Sequence, residues 1–280
     1  MLLCILLSIA FVTLFERHVL GIRQNRVGPN KVSFAGVLQA VLDGVKLLTK
    51  EHVVPHGGKL ILFLLAPLIS FVVIILEWFT LPLSYKVLSF QWRVLFFICC
   101  IGLIVYAILI SGIVSYSKYG AIGAVRACSQ TISYEVVFAL LLLSLIVLYI
   151  SYSFTPSINI FLLIGLFVPW FICMIAETNR APFDFAEGER ELVSGFNVEY
   201  SRGRFVLLFL AEYGSILILS YLTSVLFLHL SITTGFIFFI VILIRRVYPR
   251  FRYDKLIGLV WFKLLPLVLY FLLFVLFVFS

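Results

Sequence analysis

The sequence predicts an all-α integral membrane protein of about eight transmembrane helices, with an amphipathic interfacial helix between the first and second. Three observations carry this. Hydrophobic residues make up 63% and charged residues 12% of 280 positions, and mean hydropathy is +1.18; a soluble domain of this length needs far more charge to cover its surface. Apolar runs recur along the whole chain. The basic residues fall almost entirely between alternate runs.

A bilayer core of about 30 Å takes about 20 apolar residues of helix. Runs of that kind predict spans near 2–20, 60–83, 94–115, 132–153, 158–176, 205–228, 230–247 and 256–279. The first run ends at Glu16 and Arg17, and the seventh is the shortest. Both continue through polar flanks, which places Glu16 and Arg17 below the headgroups, facing protein or water. The first run lacks a basic leading region and a small-residue cleavage site, so it reads as a helix and not as a cleaved signal. The chain reads as one membrane domain, 1–280, without linker or obvious repeat.

Orientation follows from the Lys and Arg counts. Residues 16–59 hold seven, 116–131 two, 177–204 four and 245–255 five, which is 18 of the 21. With eight spans these segments share one face, the matrix or cytoplasmic one, by the positive-inside rule. The net charge of +8 is therefore a topological signal. A nucleic-acid partner is not expected, because interleaved aromatic and basic residues on a solvated surface are absent. There is no glycine-rich phosphate loop and no strand–helix alternation, so hydride transfer from a nicotinamide cannot be the work of this chain alone. The five cysteines are scattered, and His52 and His56 are interrupted by Pro55, so no metal or redox site is expected.

Polar chemistry is gathered on the basic face. Within 16–59, residues 34–50 predict a surface helix: Phe34, Val37, Leu38, Val41, Val45 and Leu48 form one stripe, and Gln39, Asp43, Lys46 and Lys50 recur opposite. Such a helix lies in the interface plane or closes over a cavity. Segment 177–204 carries six of the 13 acids: Glu177, Asp184, Glu187, Glu189, Glu191 and Glu199. Crowded carboxylates repel, titrate together and suit proton uptake beside an electron transfer; the plainer reading is a hydrated loop neutralised by Arg180, Arg190, Arg202 and Arg204. Glu135 and Glu212 lie in or at the edge of apolar runs, where a carboxylate is costly and therefore a candidate functional group. Glu77, beside Trp78 near the exterior end of its run, reads as a snorkelling side chain.

Four stretches together resemble a known family. They are Glu16–Arg17 through Arg26-Val27-Gly28-Pro29-Asn30 with Asp43-Gly44; Gly123-Ala124-Val125-Arg126 with Gln130 to Glu135; the string ETNRAPFDFAEGERELVSGFNVEY at 177–200, continued by Phe209 to Tyr213; and Arg245 to Asp254 with Trp261 and Leu265-Pro266. This pattern, running end to end, is similar to the membrane subunit 1 family of respiratory complex I, the NADH:ubiquinone oxidoreductase. Arg190, Arg204 and Glu77 depart from it. The short loops and Phe-rich spans resemble a compact mitochondrially encoded version more than a bacterial one.

The resemblance implies a core subunit of a proton-pumping enzyme that lines the quinone access tunnel where the membrane and peripheral arms join. It implies tunnel positions at Glu16, Arg17, Arg26, Phe34, Ala40, Val41, Asp43, Arg126, Phe183, Arg245 and Arg250. It implies a proton-coupling path through Glu135, Glu177, Asp184, Glu187, Glu189, Glu191, Glu199 and Glu212. No catalytic residue and no bound cofactor is expected in the chain: ubiquinone or another quinone is the substrate, and FMN and the iron–sulfur clusters belong to partner subunits. The implied partners are the peripheral quinone-module subunits, small membrane-arm subunits and lipid, in the mitochondrial inner membrane with the polar loops on the matrix side. Two alternatives stay open: the anchor of a related membrane-bound hydrogenase, and an ion-transporter subunit, although the latter should show paired repeats or broken helices.

Overall fold

The computed structural model describes residues 2–51, 60–82, 91–149, 152, 154, 160–184, 195–197, 199–228 and 233–279. Every regular element among them is helical, as hydrocarbon requires of a chain that must satisfy its own backbone hydrogen bonds. In order these are α1 (Leu2–Arg23), α2 (Gln39–Thr49), α3 (Leu60–Thr80), α4 (Arg93–Val114), α5 (Lys118–Tyr149), α6 (Ile160–Glu177), α7 (Arg202–Thr223), α8 (Thr234–Val247), α9 (Tyr253–Leu259) and α10 (Leu265–Phe279). Six helical stretches are long and apolar enough to cross a membrane, and two shorter ones, Gly165–Glu177 and Thr234–Arg245, occupy the places of the fifth and seventh predicted spans.

Three elements differ from the sequence expectation. Helix α5 begins at Lys118 and runs 32 residues, about 48 Å at 1.5 Å per residue, so the expected loop 116–131 is largely helix. Its first turns are rich in small residues that seat directly on α4. A Cβ added to Gly112 would fall 2.1 Å from that of Ala124. The expected surface helix 34–50 is regular only over Gln39–Thr49; Phe34–Gly36 is a separate 3-10 turn. The break follows from Ala35 and Gly36, both at positive φ (53° and 71°), and Gly36 lies so near Pro29 that a Cβ would stand 2.2 Å from its carbonyl oxygen. The last span contains a π turn, Val260–Leu264, between α9 and α10. Pro266 donates no hydrogen bond to the turn before it, and the widened turn absorbs that gap.

The core runs through α1, α3–α8 and the last span. Phe138 of α5 stacks on Trp170 of α6 at 4.5 Å between centroids, and Ile74 of α3 meets Gly214 of α7, where an added Cβ would lie 2.9 Å from the isoleucine methyl. Small residues at these crossings let the backbones approach without large holes.

Helix α6 ends in a left-handed turn. Asn179, at φ 50°, donates its amide hydrogen to the carbonyl oxygen of Ala176 (3.1 Å), a conformation asparagine tolerates at helix ends. Gln130 of α5 then holds the following loop, donating from Nε2 to the carbonyl oxygens of Ala176 and Phe183, each at 2.9 Å. Phe251, just before α9, donates its amide to the carbonyl of Pro182 (3.0 Å). Two remote segments thus fix residues 178–184 inside the bundle.

Candidate functional site

The tight turn at Asn179 sends Arg180 into the space between α1, α7 and α8, where a buried charge cluster forms. Glu16 of α1 is 6% exposed. It pairs with Arg245 near the end of α8, accepts a hydrogen bond from the Tyr213 hydroxyl at 2.7 Å, and lies 3.7 Å from Arg180 Nη1. Arg180 Nη2 is 3.2 Å from Glu212 Oε2, and the guanidinium carbon lies 3.9 Å over the Tyr213 ring. Glu212 also accepts from Asn197 Nδ2 at 3.2 Å. The order is therefore Arg245, Glu16, Arg180, Glu212, Asn197, with Tyr213 bracing its middle.

Alternating charges are what makes such a string tolerable. A lone buried ion costs several kcal/mol, roughly, and is retained only when opposite charges and hydrogen bonds satisfy it. Burial alone would lower the Arg180 pKa. Tyr213, Glu212 and Glu16 around the guanidinium overcome this and raise it above the ordinary arginine value, so this cation stays charged. A cationic centre with a carboxylate on either side can hold negative charge beside it while staying protonated itself.

Two cavities meet at Arg180 and Thr178. The smaller, about 20 Å³, is bordered by Glu16, Tyr213, Phe238 and Arg245. The larger, about 70 Å³, runs between α3, α4 and α7 and is bordered by Glu77, Glu177, Asn179, Arg180, Glu212 and Ser215 among apolar side chains. Its α7 wall extends from Leu208 to Leu219, about 16 Å along the helix axis at 1.5 Å per residue. Glu135 of α5 faces α4 at Gly102, where an added Cβ would stand 2.8 Å from the carboxylate, and its charge acts on Glu177.

The sequence candidates divide into groups. Glu16, Arg245 and Glu212 join the buried string; Glu177 borders the cavity beside it, and Glu135 lies against Gly102 of α4, outside that lining. Arg250 pairs with Asp184 at 3.2 Å, and Phe183 is buried against Tyr134 and Phe251. Arg17 pairs with Asp43 at 2.6 Å, and Asp43 also accepts from Gln39 at 2.8 Å; this pair lies nearer solvent, away from the string. Arg26 turns to Gln24 at 2.5 Å, Arg126 is half-buried on α5, and Glu199 is half-buried ahead of α7. Phe34 and Val41 are exposed at 90% and 52%, with Ala40 half-buried beside them. Glu187, Glu189 and Glu191, with Arg190 and the His52–His56 pair, lie outside the described residues.

Arg180 and Tyr213 carry more of the site than the sequence reading gave them. Arg180 read only as a counterion among the loop acids; its place directly after an apolar run that ends in Glu177 was the available signal. Glu77 is a correction. It does not snorkel, because α4 and α7 enclose it and leave it 2% exposed.

Comparison with known proteins follows this geometry. The sequence profile of the NADH dehydrogenase family matches residues 1–276. NADH-ubiquinone oxidoreductase chain 1 of Anopheles gambiae is 48% identical over 286 aligned residues, covering 97% of this chain and 91% of that protein. The proteins of the same name from Danio rerio (45% identical; 95% of this chain, 88% of that protein) and Osphranter rufus (44%; 95% and 90%) are similar over the same extent.

Proposed function

The chain belongs to the NADH dehydrogenase family, and from that premise we infer that it walls the passage through which a quinone reaches its reduction site and begins the carboxylate path that couples this reduction to proton movement. It is a core membrane subunit of NADH-ubiquinone oxidoreductase, contributing to that enzyme without holding its hydride-transfer centre.

The observation that carries the coupling half is the buried string from Arg245 through Glu16 and Arg180 to Glu212. Charges this deep are costly in a merely structural anchor. A quinone taking up two electrons nearby must also gain protons and countercharge, and the string supplies both kinds of group within a few ångströms. The passage half rests on α2, whose apolar stripe Val41, Val45 and Leu48 is exposed while its carboxylate Asp43 is held by Arg17. An apolar wall with few polar groups suits a long isoprenoid tail carrying a polar head.

On this reading the flavin, the iron–sulfur clusters and the groups that grip the quinone head sit in partner subunits of the peripheral arm. The complex lies in the mitochondrial inner membrane with the basic loops on the matrix side. The test is to isolate the complex from its membranes and assay both halves of the reaction. Co-purification with flavin- and iron–sulfur-bearing partners and NADH:quinone activity is expected. Recovery with hydrogen-oxidising partners, or as a self-sufficient ion carrier, would overturn the assignment.

A further inference from the structure

Three acceptor oxygens around the larger cavity have no hydrogen-bond partner among the described residues: Glu77 Oε1, Glu177 Oε2 and Asn179 Oδ1. All three residues border the same space. A buried oxygen without a donor is costly, and three on residues around one cavity call for something that donates. At roughly 30 Å³ per water, a cavity of about 70 Å³ takes about two waters, and its polar lining gives them partners.

Glu77 marks the outer end of this space. It lies 17 residues beyond Leu60, which opens α3 on the basic face, a rise of about 26 Å. Of the charged or titratable groups on the surrounding elements, Glu177 at the end of α6 acts on it, and it acts in turn on Cys100 of α4. Glu212 of α7 and Arg180 border the inner part of the cavity, and Arg180 is already engaged by Glu16 and Glu212. No cation among these groups is placed to neutralise both Glu77 and Glu177.

We propose that Glu77 is the outward proton acceptor of this cavity, exchanging a proton with Glu177 through a chain of bound water. This rests on the coupling role inferred above and adds to it a residue and a direction. The Glu177 carboxyl releases its proton to the adjacent water, each water passes one proton on, and the last protonates the Glu77 carboxylate. The pair keeps one proton and one negative charge throughout. The path thereby gains a branch running along α3 and α7 toward the exterior face.

The experiment uses the assembled complex reconstituted in sealed liposomes, with proton translocation and NADH:quinone turnover measured together. Glu77→Gln is expected to lose most proton translocation per electron while uncoupled quinone reduction persists, and Glu77→Asp to restore part of it. Infrared difference spectra on quinone reduction should lose a protonated-carboxyl band in Glu77→Gln. A second variant, Ile104→Phe, fills the cavity without touching either acid and should give the same uncoupling, which decides the matter even where Glu77→Gln does not assemble. Glu177→Gln separates the two claims. If it uncouples while Glu77→Gln and Ile104→Phe retain native translocation, only the outward branch is wrong; if all three retain it, the coupling role of the cavity falls as well.

Discussion

Tyr213 donates its phenolic hydrogen to Glu16 at 2.7 Å across 197 residues of sequence, while its ring lies beneath the Arg180 guanidinium. One side chain therefore orients both an acid and its counter-cation. Tyr213→Phe keeps the ring and removes the hydroxyl. A hydrogen bond to a charged group contributes about 1.5–3 kcal/mol, so the complex should still assemble but unfold more easily, and quinone reduction should slow. Thermal inactivation and turnover, measured on the same preparation, check both.

Arg180 is the point on which the string depends. Removing one partner of a buried ion pair costs about 3–5 kcal/mol, and here two carboxylates would be left facing each other. Arg180→Gln should therefore fail to accumulate in the assembled complex, as read by native gels. Arg180→Lys should assemble with reduced activity, since an ammonium cannot present the planar fork that reaches both acids.

The same residue bears on pH. Its pKa in the folded chain is raised, so its stabilisation is fully present below the unfolded arginine value and is lost only as pH rises through the still higher folded value. That window lies above any working pH. Arg180 should impose no pH dependence of its own, and the pH profile of quinone reduction should be unchanged in Arg180→Lys.

Asp43 and Val41 test the passage. The Arg17–Asp43 pair is partly exposed, and such pairs contribute about 0–1 kcal/mol to stability, so Asp43→Asn should leave assembly intact while lowering turnover. A bulky Val41→Trp should hinder long-tailed quinones more than short soluble analogues. Equal loss with both substrates would make α2 an anchor only.

The membrane architecture was legible because apolar run length maps directly onto bilayer thickness. What escaped was whatever depended on packing. The first turns of α5 are Gly/Ala-rich and mildly polar, so they fall below an apolar-run criterion, although their small residues are what seat the helix on Gly112. The break before α2 comes from the positive φ of Ala35 and Gly36, which a stripe of apolar residues at helical spacing does not reveal. Glu16, Glu212 and Arg245 stood out as charges next to apolar runs, but their convergence on Arg180 joins residues up to 229 positions apart and is a property of the bundle. Glu77 was misjudged for the same reason: its distance from the helix end is visible in the sequence, whereas the helices that enclose it are not.

The central claim is that the buried acids of the string couple quinone reduction to proton movement, and Glu212→Gln tests it most directly. The amide keeps the shape and the contact with Asn197, and Arg180 retains Glu16, so the complex should assemble. Proton translocation per electron should fall, while flavin-site reduction of a soluble acceptor continues at its native rate. Native translocation in fully assembled Glu212→Gln complex would contradict the account and reduce the string to a structural ion network.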